Sequence, residues 1–235
     1  MLHRYAFSNF QSFRDRTEVS WLLDGKVPEA VWSHAAGSGE RLSTVMAVIG
    51  PNASGKTALL KPILFLEWFV RHSFAADPAQ DLPYAPHAAA AGEASEFELD
   101  VDVDGRLMRY TLRCTPQRVL HEALYARHER MRYVFVRTWN EATQAYDIKQ
   151  QDFGFSPAEA RKVRPNASLI ATAAQYGVAL AQRLVNTRIA SNIHQFGRMV
   201  NDTNQLVAAA EHFSGESAQL QHLVRLLSAW DLGLS

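Results

Sequence analysis

Gly50-Pro51-Asn52-Ala53-Ser54-Gly55-Lys56-Thr57 satisfies the pattern G-x-x-x-x-G-K-[ST] at every fixed position. Each fixed residue has a mechanical reason to stand where it does. Gly50 and Gly55 let the backbone turn tightly, so that consecutive N–H groups converge on phosphate oxygens. Lys56 supplies a positive charge for the β- and γ-phosphates. The Thr57 hydroxyl can ligate Mg²⁺, while the positive end of the following helix faces the anion. All eight residues, Gly50, Pro51, Asn52, Ala53, Ser54, Gly55, Lys56 and Thr57, are therefore candidate nucleotide-binding positions, with Thr57 the candidate metal ligand. The chain has no Asn/Thr-Lys-x-Asp tetrapeptide to read guanine, which favours ATP, with Mg²⁺, over GTP.

The flanks predict strand, loop and helix in that order. Leu42 to Ile49 is rich in β-branched and apolar residues and reads as a buried parallel strand. Ala58 to Val70 is mostly apolar and of helix length, with Pro62 as a point of kinking. Further out, residues 2–10 and 17–23 read as an opening hairpin, and 75–94, rich in Ala, Pro, His and Gly, as a long loop that would serve as a lid. Residues 96–104 alternate strictly, Asp104-Gly105 is a hairpin turn, and 107–114, 119–127, 133–138 and 146–150 continue as strands. Together they predict an antiparallel sheet with one wet, acidic face. Ser156-Pro157-Ala158-Glu159 opens a helical region. In it Leu180, Leu184, Val185 and Ile189 share one face, and Leu220, Leu223, Val224, Leu227 and Trp230 recur at helical spacing. The expected organisation is an α/β lobe over 1–155, carrying the glycine loop and a β-subdomain, and a helical segment over 156–235.

Composition narrows the function classes. In 235 residues, 24 Lys and Arg balance 24 Asp and Glu, which excludes a broadly basic nucleic-acid coat and a polyacidic tail. Arg183, Arg188, Arg198 and Arg225 are candidate DNA-phosphate contacts, although spaced helical arginines are more often solvated or acid-paired. Cys114 is the single cysteine, so no intrachain disulfide can form and a reducing cytoplasm is expected. The longest apolar run, Ile63 to Val70, is broken by Glu67 and falls well short of the roughly 20 residues that span a bilayer.

Hydrolysis needs more than a phosphate cradle. It calls for an acid at the end of an apolar strand to complete the Mg²⁺ shell and a group to orient water. Leu99-Asp100 and Val101-Asp102 lie in the alternating run and read as a solvated sheet face. Gln175 is a weak candidate for a glutamine that reaches the γ-phosphate. The catalytic half is not found, and the catalytic residues are unknown.

Several stretches carry a resemblance: Phe7-Ser8-Asn9-Phe10-Gln11-Ser12-Phe13, then Val48-Ile49 with the glycine loop, Val119-Leu120-His121-Glu122-Ala123-Leu124, Phe135-Val136-Arg137, Ser168-Leu169-Ile170-Ala171 and Asp231-Leu232-Gly233-Leu234. Together they resemble ABC/SMC-like ATPases of the AAA class, found in bacterial phage-defence systems and in OLD-type nucleases. The resemblance implies an α/β P-loop NTPase fold with an antiparallel β-subdomain and a C-terminal helical extension. It implies that the signature motif, Walker B acids and switch histidine would follow Ser235, so that this chain binds ATP and Mg²⁺ but hydrolyses poorly. The implied partners are a second copy in a head-to-tail dimer, or a chain carrying the missing half, and an effector such as a toxin or nuclease. DNA-end or repair work is the alternative.

Overall fold

A computed structural model describes residues 1–28, 30–187, 189, 191, 193–194, 197–198, 203–212, 214 and 218–229. They fall into two units, Met1–Gly197 and Arg198–Ser235.

The period-two alternation builds the largest element. In the first unit β1 (Leu2–Ser8), β2 (Thr17–Ser20), β5 (Ser95–Val103), β6 (Arg106–Cys114), β7 (Val119–Arg127), β8 (Met131–Asn140) and β9 (Ala145–Gln150) form one seven-stranded sheet. Its order is β2-β1-β5-β6-β7-β8-β9, antiparallel throughout. The expected meander is thus formed. Asp104 and Gly105 both take positive φ, 53° and 75°, as a type I′ turn requires. Two further short strands, β3 (Ser33–Ala35) and β4 (Arg41–Ser43), pair with each other.

One face of the sheet is closed by α1 (Lys56–His72), which runs unbroken through Pro62. Its apolar stripe of Ile63, Phe65, Leu66 and Phe69 is buried with Tyr5, Phe7, Phe97, Tyr110, Leu112, Leu124 and Phe135 of the strands. The short helices α2 (Pro157–Ala160), α3 (Leu169–Gln175) and α4 (Ala179–Asn186) complete this layer, with Leu180, Leu184 and Val185 packed against it and Ile189 exposed. In the second unit lie α5 (Thr203–His212) and α6 (Ala218–Ala229), where Leu220, Leu223 and Leu227 are half-buried and Val224 is exposed. Trp230 and Asp231-Leu232-Gly233-Leu234 lie outside the described residues.

Three expectations are corrected. The first is the parallel strand over 42–49. Only Arg41–Ser43 is strand, and it is antiparallel. Val45, Met46, Val48 and Ile49 are exposed, Ile49 by 91%. A run apolar on both faces becomes a buried strand only where neighbours supply backbone partners and cover, and no described strand does so.

The second is the lid over 75–94. Leu82 is buried, and the Tyr84 ring stacks among Phe10, Phe65 and Phe97. Asn9 donates to the carbonyls of Ala90 and Glu93 and accepts from the His87 amide, while Asn166 donates to those of Asp77, Pro78 and Gln80. The loop is fastened into the core.

The third is the solvated acidic face. Asp100 is 5% exposed and accepts from Arg4 and Arg109, and Asp102 faces the buried His3 ring at 3.2 Å. Arg4 of β1 and Arg109 of β6 cover Asp100 and His3 covers Asp102, while Glu96 and Asp104 at the ends of the run stay in solvent.

Candidate functional site

The turn into α1 is made by Gly55 at φ 90°, a left-handed conformation that suits glycine. A Cβ on Gly50 would stand 2.7 Å from the Ser54 hydroxyl, so a side chain there would require the Ser54 side chain to turn away. Ala53 is also left-handed, at φ 62°. The first turn of α1 has no side-chain cap and holds no acid. Its amides, and the positive helix end they make, are left for an external anion.

Lys56 is half-buried and folds back over the loop. Its ammonium donates to the carbonyls of Gly50 at 2.8 Å and Pro51 at 2.5 Å. A shallow pocket of about 280 Å³ sits against these residues, lined by Ala53, Ser54, Gly55, Lys56, Thr57 and Ala58 together with Gln11 and Lys61. Structure therefore brings Ala53 to Thr57 to one pocket. Gly50, Pro51 and Asn52 lie in the exposed approach to it.

Two of the lining residues escaped the sequence reading. Gln11 sits in the tight turn closed by the Phe10–Phe13 bridge, at φ 49°, and its backbone N–H donates to the Ala85 carbonyl. The Phe13 ring lies 3.6 Å from where a Gly55 Cβ would stand, so this turn is one wall of the loop. The stretch was quoted for its resemblance, with no role for Gln11. Lys61 follows Thr57 by four residues, a spacing that places both on one helix face and that could have identified it.

The helix carrying the loop is anchored at both ends. Near its start, the buried Tyr5 hydroxyl donates to the Leu59 carbonyl at 2.8 Å, and burial pushes the phenol pKa up. At its end Arg164 donates to the carbonyls of Ser73, Phe74 and Ala76, placing a cation at the negative helix terminus.

Three stretches quoted for the resemblance converge behind α1. Glu122 and Arg137 are fully buried and face each other at 3.5 Å. Glu122 accepts from the Tyr110 and Ser168 hydroxyls and the Leu169 amide. Arg137 donates to the carbonyls of Val163, Arg164 and Ala167. The node shapes the framework and lies within the core.

The remaining candidates stay apart from the pocket. Gln175 is exposed at the end of α3. Arg183 pairs with Asp104 at 3.2 Å, and Arg225 is exposed with its Nε on the Gln221 carbonyl. Arg188 and the Arg198 side chain lie outside the described residues.

The oxygen donors at the pocket are the Thr57 and Ser54 hydroxyls and the Gln11 amide. Among the described residues no carboxylate lines it. Mg²⁺ is ordinarily held by one or two carboxylates together with phosphates; these donors are neutral, and Thr57, the one on the first turn of α1, is the residue that would hold the ion.

A glycine-turned loop opening an uncapped helix has the local geometry of a phosphate-binding turn. Residues 45–168, just over half of the 235, match the family model described as an AAA domain and naming the AbiEii toxin and the type IV TA system. The chain belongs to this AAA family. No curated protein matches it. Among the described residues no helix is long and apolar enough to cross a membrane.

Proposed function

We propose that residues 50–57 bind ATP, and that the chain is the ATP-binding module of a bacterial ABC/SMC-like ATPase. The observation that carries this reading is the Gly55-Lys56-Thr57 turn into an uncapped helix, inside a chain of the AAA family. The triphosphate displaces the two carbonyls that hold Lys56, whose ammonium then meets the β- and γ-phosphates. The first-turn amides of α1 receive the remaining oxygens, and Gly50 and Gly55 keep the backbone close. Mg²⁺, when bound, adds positive charge at the phosphates and touches this chain at Thr57. With no carboxylate among the described residues at the pocket to complete a metal shell, turnover by this chain is slow.

As an ATP-gated component, it works by dimerising or by docking an effector, a toxin or nuclease, in cytoplasmic anti-phage defence. A second reading is a non-hydrolysing regulatory subunit that binds ATP and completes a partner chain. The exposed segment 45–49 favours it, since an apolar run left without strand neighbours among the described residues suits strands supplied by another segment.

The test is calorimetry of ATP with Mg²⁺ on wild type and Lys56→Ala, with mass by light scattering. Micromolar binding lost in the variant supports the cradle, and a mass increase with ATP supports gated assembly. Brisk turnover by the purified chain, abolished in Lys56→Ala, would overturn the slow-hydrolysis reading.

A further inference from the structure

Lys61 lines the same pocket as Lys56 and Thr57, half-buried on α1. In a helix each side chain leans toward the N-terminus and covers the turn before it. From position 61 that turn is Thr57, the residue whose hydroxyl would meet a metal ion. Two lysines therefore line the site, and among the described residues no carboxylate lines it to offset them. A divalent cation at Thr57 would sit beside the positive charge of Lys61, whereas a phosphate there gains a charge-assisted donor.

We propose that Lys61 is a second phosphate-binding cation, and that it supplies charge neutralisation that a carboxylate-held metal ion would otherwise provide. Nucleotide binding to this chain is then only weakly dependent on Mg²⁺. The inference rests on the reading of residues 50–57 as a nucleotide site, and the test separates the two.

ATP affinity is measured by calorimetry in Mg²⁺ and in EDTA for wild type, Lys56→Ala, Lys61→Ala and Lys61→Arg, with thermal melts to verify folding. The expected wild-type difference between Mg²⁺ and EDTA is under about threefold. Lys61→Ala should lose about tenfold in EDTA, the size of one charge-assisted hydrogen bond, and less in Mg²⁺, while Lys61→Arg retains most of the affinity. Lys61→Ala binding like wild type in both buffers, or wild-type binding that vanishes in EDTA, would overturn the role of Lys61 while leaving the cradle intact if Lys56→Ala is still defective. No binding by wild type in either buffer would overturn both.

Discussion

Tyr5 on β1 donates its hydroxyl to the carbonyl of Leu59 on α1 at 2.8 Å, fixing the opening turns of the loop-bearing helix to the buried second strand of the sheet. Tyr5→Phe removes only that oxygen and keeps the ring packed against Phe7 and Trp21. The expected cost is about 1 kcal/mol, or a fall in Tm of about 2–4 °C for a domain of this size. Thermal melting by circular dichroism measures it, and an unchanged Tm would show that packing alone seats the helix.

Ala53 holds a left-handed backbone, φ 62°, inside the glycine loop. For a residue with a Cβ this costs about 1 kcal/mol, a cost glycine avoids. Glycine also gives the unfolded chain more freedom, so the net gain from Ala53→Gly is smaller, about 0.5 kcal/mol. The folded loop carries this strain whether or not nucleotide is bound, so the variant should gain that stability, a rise in Tm of about 1–2 °C by circular dichroism, with ATP affinity by calorimetry unchanged. Weaker binding would show that Ala53 holds the loop open for the phosphates.

Local patterns were legible and long-range partners were not. The alternation of 96–104 and the Asp104-Gly105 turn announce the hairpin because strand period and turn chemistry are written in consecutive residues. The Gly55 turn into a helix is likewise legible, since the glycine and the apolar run after it are neighbours in the chain. Val45 to Ile49 is different. Its composition states a demand for strand neighbours, and whether they exist is settled by other segments. Asp100 misleads for the same reason: its place on the alternating strand says which face it occupies, while Arg4 and Arg109, distant in sequence or across the strand, decide that it is covered. Gln11 and Lys61 could be assigned to the pocket only once the 10–13 turn and the helix face were placed beside the loop.

Cys114 is fully buried, and burial pushes its thiol up from 9.0 to about 12. Burial raises the phenols of Tyr5, Tyr84 and Tyr110 as well. A group whose folded pKa lies above its unfolded value gives stability that is complete below the unfolded pKa and is lost as pH rises through the folded one. On the alkaline side, stability should therefore hold from about neutral pH to about pH 9 and fall between 9 and 12, followed by urea midpoints across that range. In parallel, the thiol should resist alkylation at pH 8 until the chain unfolds, because the thiolate is the reactive form. Rapid labelling of the native protein would show that the Cys114 site opens readily.

The Glu122–Arg137 pair is buried on both sides, and its value lies in what each partner leaves behind when the other is removed. Glu122→Gln keeps an oxygen for the Ser168 hydroxyl and the Leu169 amide but takes away the negative charge facing Arg137. The guanidinium stays charged at any accessible pH and would then be neutralised only by the carbonyl dipoles of Val163, Arg164 and Ala167. An uncompensated buried charge costs about 3–5 kcal/mol, and since Arg137 retains those carbonyls the lower end is expected. Urea denaturation should show a lowered midpoint with an unchanged slope, the sign of a stability change without a change in the surface exposed on unfolding. Replacing Arg137 as well, in Glu122→Gln/Arg137→Met, removes the stranded charge, so the double variant should lose less than the sum of the two single losses. Additive losses would mean that the two charges do not interact at 3.5 Å and that Arg137 acts only through the carbonyls it holds.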